Sequence, residues 1–199
     1  MTETNQKADL LKYLQDARDA LLWKLDGLSE YDIRRPLTST GTNLLGLIKH
    51  VTAVELGYFG DTFGRPFFTD GPPPAWYGMN AEYNADMWAT AEESREQVVG
   101  LYRQAWQHSD ATFAALPLDA LGHVPWWPEH RSAVTLSHVF VRVLSDTQRH
   151  AGHADILREQ LDGSTGYVRG NENMPPGGEE WWQEYREQLE GAARAAQGE

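Results

Sequence analysis

The chain has 199 residues, enough for one domain, residues 1–199, with a sizeable core, and its 41% hydrophobic and 23% charged content is ordinary for a globular protein in water. A formal net charge of −12 argues against a nucleic-acid surface, which needs clustered positive charge, and disfavours an anionic membrane. The absence of cysteine excludes disulfides, Cys-ligated zinc and a cysteine nucleophile, so any thiol chemistry must use a thiol brought from outside.

The first ten residues lack the basic-then-apolar pattern of a signal peptide, and no stretch is apolar enough to span a bilayer; a cytoplasmic location is expected. Apolar residues from Leu10 to Leu28 recur at a three-and-four spacing that predicts an amphipathic helix over 8–28. The polar segment after it, carrying Pro36, reads as a connector, with Thr42 or Asn43 capping a second helix over 44–63. That helix is strongly apolar, so His50 and Glu55 stand out; an ionisable group in such a setting is paired or functional. Glu55, five residues after His50, suits packing or an ion pair. Residues 64–79 combine Pro72, Pro73 and Pro74 with aromatics and predict a long structured loop.

Thr90 with Glu93 forms a capping-box signature ahead of a third helix over 92–116, where His108 looks exposed. A second connector follows, rich in Pro and Trp; its Trp126 and Trp127 would either wall a pocket or pack in the core, and its His123 and His130 would face solvent unless they reach a pocket mouth. A fourth helix runs over 134–161, stopped by Asp162-Gly163, and its Gly152 would mark close approach of another helix. After a loop, a fifth helix over 179–195 carries Trp181, Trp182, Tyr185 and Leu189 on an apolar side. No alternating strand pattern, internal repeat or phosphate-binding glycine loop is present. The elements predict an all-α bundle, and bundles commonly hold metals between facing helices.

Within the fourth helix, Asp146 and His150 lie one turn apart and His153 comes within about 60° of His150, placing a carboxylate and two imidazoles on one stripe. His138 falls about 80° round from Asp146 and is a poorer ligand candidate. If helices two and four are neighbours, His50 could join Asp146 and His150, and three ligands with an open position match a catalytic zinc site. The alternative is a solvated face on which Asp146 pairs with Arg142 or Arg149, with His50 a hydrogen-bonded core histidine. His153 is either an additional ligand or a residue beside the ion. With no G-x-S-x-G elbow, a serine hydrolase is disfavoured.

Three stretches, N-L-L-G-L-I-K-H-V-T-A-V-E-L-G-Y-F-G-D-T-F-G-R-P from Asn43, V-P-W-W-P from Val124 and D-T-Q-R-H-A-G-H-A-D-I-L-R-E-Q-L-D-G from Asp146, resemble the DinB-like superfamily. More narrowly, the chain is similar to its actinobacterial mycothiol S-transferase branch. The resemblance implies a DinB-like four-helix bundle, here with an extra C-terminal helix and long structured loops. It also implies a divalent metal, zinc or alternatively nickel, on His50, Asp146 and His150. Many DinB-like proteins carry histidine at the first helix-four ligand, and mycothiol-dependent maleylpyruvate isomerase carries glutamate. Asp146 departs from both, with a shorter reach than glutamate, and His153 stands in reserve.

The same resemblance implies a low-molecular-weight thiol such as mycothiol as cosubstrate. A coordinated thiol is deprotonated by the metal charge and becomes a nucleophile at neutral pH. The leading expectation is a metal-dependent thiol S-transferase in which the metal-bound thiolate attacks an electrophile. A thiol-dependent isomerase of an unsaturated acid is a second reading, its substrate held by Arg131, Arg142, Arg149 or Arg169. A metal-binding stress-response protein without catalysis is a third, and the aromatics would suit a homodimer.

Overall fold

The structure, a computed structural model, describes residues 3–168 and 170–198, with side chains from residue 6 onward. Arg169 lies outside the described residues. Four long helices form the body: α1 (Glu3–Trp23), α3 (Leu44–Glu55), α4 (Arg95–Ala115) and α6 (Leu136–Asp162). A short helix, α2 (Glu30–Arg34), turns the chain after α1, with the Ser29 side chain accepting from the Asp32 amide. The protein is all-α apart from a hairpin of β1 (Leu121–His123) and β2 (Ala133–Thr135), antiparallel with Gly122 opposite Val134 and bracketing the short α5 (Glu129–Ser132). A final helix, α7 (Glu179–Gln197), follows a long loop.

The bundle packs as a ring in which α1 lies against α6, α6 against α3, α3 against α4 and α4 against α1. Two apolar clusters fill it. One joins Leu21, Leu25, Leu45, Ile48 and Tyr102 with Ala151 and Leu157; the other joins Leu14, Phe59, Phe113, Phe140 and Val143. Between α1, α3 and α4 runs a buried ionic tie. Arg18 donates from Nε and Nη2 to the Glu55 carboxylate at 2.9 and 2.6 Å, and from Nη1 to Asp110 at 3.1 Å. Glu55 is therefore the ion-pair residue its setting predicts.

Several boundaries differ from expectation for local reasons. The first helix ends at Trp23, and the chain turns through Gly27 at φ +75°, a left-handed conformation that glycine adopts without strain. The second helix continues past Glu55 as a π turn, Leu56–Gly60, and a short 3₁₀ turn, Asp61–Phe63. Its cap is Asn43, whose side chain accepts from the Gly46 amide. The third helix begins at Ser94, not at the Thr90 box. The Glu93 carboxylate does accept from the Thr90 amide at 2.8 Å, but the same oxygen also takes Lys49 Nζ at 2.8 Å. Ser94 and Gln97 close the capping box instead.

The second connector holds a hairpin that the sequence shows no alternation for, because its strands are three residues each, too short to carry one. Gly152 corrects another expectation, since no heavy atom lies within 4 Å of where its Cβ would stand. His108 is half-buried rather than exposed, and its Nε2–H donates to the Arg65 carbonyl at 2.7 Å. Helix α7 buries none of its residues, and Trp181, Tyr185 and Leu189 stay exposed. Among the described residues, no helix is long and apolar enough to cross a membrane.

Candidate metal centre

The adjacency of α3 and α6 decides where the polar stripe of α6 points. His50, from the penultimate turn of α3, faces Asp146 and His150 on consecutive turns of α6, and one donor atom from each lies within 4.8 Å of the others. The His50 and His150 rings meet edge to face at 4.7 Å between centroids. Asp146 Oδ2 stands 3.7 Å from His50 Nε2 and 3.6 Å from His150 Nε2. Both separations are too long for hydrogen bonds, and that carboxylate oxygen is buried with no hydrogen-bond partner.

A buried carboxylate oxygen that faces two imidazoles across gaps too wide for hydrogen bonds leaves room for something between them, and the spacing suggests what would fill it. Two tetrahedral ligands at about 2.0–2.2 Å from a zinc ion stand roughly 3.4 Å apart, close to the separations seen. One carboxylate and two imidazoles are a donor set that suits zinc or nickel. The residues therefore fit a divalent ion.

A fourth residue completes the arrangement and was not foreseen. Asp86 Oδ2 accepts from His50 Nδ1–H at 2.7 Å, which leaves Nε2 facing Asp146 and His150. Asp86 belongs to the irregular segment before α4, and the first turns of α3 clamp that segment in place. Asn43 Nδ2 donates to the Met87 carbonyl at 3.1 Å, and Lys49 Nζ to the Trp88 carbonyl at 2.9 Å. Between them, Gly46 must lack a side chain because its Cβ would collide with the Met87 carbonyl. Carboxylate–histidine pairs of this kind fix the ring and raise its basicity toward a metal.

Charge follows the same geometry. Burial disfavours the charged form of His50, but Asp146 and Asp86 outweigh it and push its pKa up to about 9. Burial lowers His150, and the neighbouring His50 lowers it further, to about 4, against the opposing pull of Asp146. For Asp86 and Asp146 burial acts upward, but His50 beside each holds both below the usual carboxylate range. Near neutral pH the ion-free cluster thus carries two carboxylates, one imidazolium and one neutral imidazole.

Other predicted residues fall outside the cluster. His153 is exposed, and its Nδ1 stands 3.3 Å from His150 Nδ1, the ring nitrogen turned away from the cluster, so its contact is with the ligand candidate rather than with the gap. Asp146 makes no ion pair with Arg142 or Arg149; Arg142 instead donates to the Tyr58 hydroxyl at 2.7 Å. Arg142 and Arg149 line an open hollow of about 740 Å³ along α6 that reaches Asp146. Arg131 lies over the Trp127 ring. His123, His130 and His138 are exposed. Trp126 and Trp127 divide the two roles open to them: Trp126 walls a cavity beside Asp86, and Trp127 packs against the apolar cluster of Phe140.

The sequence model of a family described as Mycothiol-S-transferase matches residues 9–163, which takes in most of α1, then α2 through α6 and all four residues of the cluster. No curated protein matches the chain.

Proposed function

The chain belongs to the mycothiol S-transferase family, and on that premise we propose that it joins mycothiol, or a thiol of that type, through its sulfur to an electrophilic small molecule. The proposal treats the chain as one domain of that family, with His50, Asp146 and His150 holding a divalent ion, zinc in the first instance. The observation that carries it is the buried Asp146 oxygen, without a hydrogen-bond partner, set between two imidazole Nε2 atoms at 3.7 and 3.6 Å. A bound ion supplies positive charge that keeps an incoming thiol in its thiolate form at neutral pH.

The chain's own residues then have distinct tasks. Asp86 holds His50 in the tautomer that presents Nε2 to the cluster. Asp146 contributes the one negative charge among the three donors, which leaves a net positive site when a divalent ion is present. The thiol proton passes to solvent; the sulfur forms a C–S bond with the electrophile, and the leaving group departs with its electron pair. With no cysteine in the chain, the nucleophilic sulfur comes entirely from the cosubstrate.

The test is turnover of monochlorobimane with mycothiol and zinc. His50→Ala is expected to abolish it while the helical spectrum is kept; unchanged turnover would overturn the metal-dependent mechanism. A second reading, isomerisation of an unsaturated acid, draws on Arg142 and Arg149 in the hollow that reaches Asp146. It predicts thiol-dependent isomerisation that Arg142→Ala and Arg149→Ala both weaken. Metal binding with no affinity for thiol would instead favour a metal-binding protein without catalysis.

A further inference from the structure

A cavity of about 430 Å³ is lined in part by Asp86, the residue bonded to His50. Part of its floor comes from the helix that carries His50: Ala53, three residues on in α3, lies on the side of His50, and Gly57 follows in the π turn that continues the helix. Small residues there keep the floor bare. A Cβ at Gly57 would come 3.0 Å from the Trp126 ring, so glycine is what lets the indole lie over the floor. Trp126 is itself held edge-on by Tyr58 at 5.0 Å between centroids.

The walls are aromatic, and the cation nearest them, Lys49 Nζ at 4.9 Å from the Trp76 ring centroid, is held by Glu93 and the Trp88 carbonyl rather than lining the cavity. Trp76 and Tyr77 face the cavity, and among the described residues no Lys or Arg lines it. Its acids are mostly engaged: Tyr77 donates its hydroxyl to Asp61 at 2.7 Å, and Asp86 is bonded to His50. Glu82 is exposed at the rim. A carboxylate placed inside would meet like charge from Asp61, Asp86 and Glu82 with no lining cation to pair with, whereas a flat uncharged ring would meet indole and phenol faces.

We propose that this cavity is the electrophile site and that it takes planar aromatic electrophiles without negative charge. The proposal rests on the S-transferase reading, since Asp86, bonded to His50, and Ala53, one turn on from His50 in α3, place the cavity beside the centre where the thiol would be activated. With an aryl chloride, the C–S bond forms at the ring carbon, the C–Cl bond breaks with its electron pair leaving as chloride, and the thiol proton goes to solvent. Trp126 is here a specificity-determining residue.

Two measurements separate the site from the reaction. Zinc-loaded protein with mycothiol is assayed on chlorodinitrobenzene and on the anionic chloronitrobenzoate. The neutral substrate is expected to be favoured at least tenfold in kcat/KM. Trp126→Ala should raise its KM about tenfold, the loss of one aromatic contact, with the KM for the thiol unchanged and Trp126→Phe restoring most of the loss. Independently, non-reacting dinitrobenzene is titrated into the zinc-free protein while the Ala53 and Gly57 amide resonances are followed. Saturable shifts that Trp126→Ala removes establish the site even if no turnover is found, in which case the transferase reading alone fails. Absent shifts, equal use of the anionic substrate, or a KM indifferent to Trp126 would each overturn the proposal.

Discussion

Asp86 is the residue through which the candidate centre depends on a loop. Its bond to His50 fixes which ring nitrogen faces Asp146 and His150, and partners of this kind are worth about 10–100-fold in metal affinity. Asp86→Ala is expected to weaken zinc binding by that factor, read by competition with a chromophoric chelator, with helix content unchanged. Loss of less than twofold would mean that ring packing alone orients His50. Glu55 presents the opposite kind of polar residue, one that serves the fold. It is fully buried against Arg18, and removing one partner of such a pair costs about 3–5 kcal/mol because the other charge is stranded. Glu55→Ala should lower the unfolding free energy by that amount in denaturant melts, and a cost under about 1 kcal/mol would show that Asp110 and Gln15, which accept from Arg18 Nη1 at 3.1 and 3.2 Å, can hold Arg18 alone. The three donors of the cluster were legible because helical spacing sets Asp146 and His150 one turn apart and the family resemblance points to His50. Asp86 was not, because it sits 36 residues from His50 in an irregular segment where no period links sequence to space.

At the scale of elements, the long helices were legible and their ends were less so. Periodic apolar residues mark α1, α3, α4 and α6 because each buries one face in the bundle. Helix ends depend on which polar group wins a partner. Glu93 satisfies the local capping signature yet also binds Lys49 across the structure, so the helix starts one box later. The hairpin and α2 are too short to carry a period, and tertiary contacts decide them. Helix α7 shows the limit of the periodic signal itself: its aromatic stripe is as clear as that of any bundle helix, yet it buries none of its own residues. Trp181 stacks on Tyr185 at 5.3 Å, and the helix shields its own rings rather than the core. Deleting residues 179–199 is therefore expected to shift Tm by less than about 2 °C, the scale of half a kcal/mol for a chain of this length. A fall of several degrees would show that the stripe docks on the bundle or on a second copy.

For the whole molecule, the cluster sets a pH dependence that a bound ion should change. In the ion-free protein His50 has a pKa of about 9 against an ordinary 6.5, so its contribution to stability is complete below about 6.5 and is lost as pH rises through 9. His150, at about 4, contributes fully above 6.5, and that contribution is lost as pH falls from 6.5 through 4. The two together put the best stability of the ion-free cluster near the ordinary histidine value, with losses on both sides. An ion requires both imidazoles unprotonated, so binding near neutral pH displaces about one proton, the one on His50 Nε2. With the ion in place His50 has no proton left to lose between pH 6.5 and 9, and the alkaline decline contributed by this site disappears. On the acid side the ion competes with protons and its stabilisation fades. The Tm of zinc-loaded protein minus that of chelator-treated protein should therefore widen steadily from about pH 6 to about pH 9, and calorimetry in buffers of different ionisation heat should register the released proton. A difference in Tm that stays constant across that range would mean that zinc binds away from His50, and the assignment of the centre to α3 and α6 would fall with it.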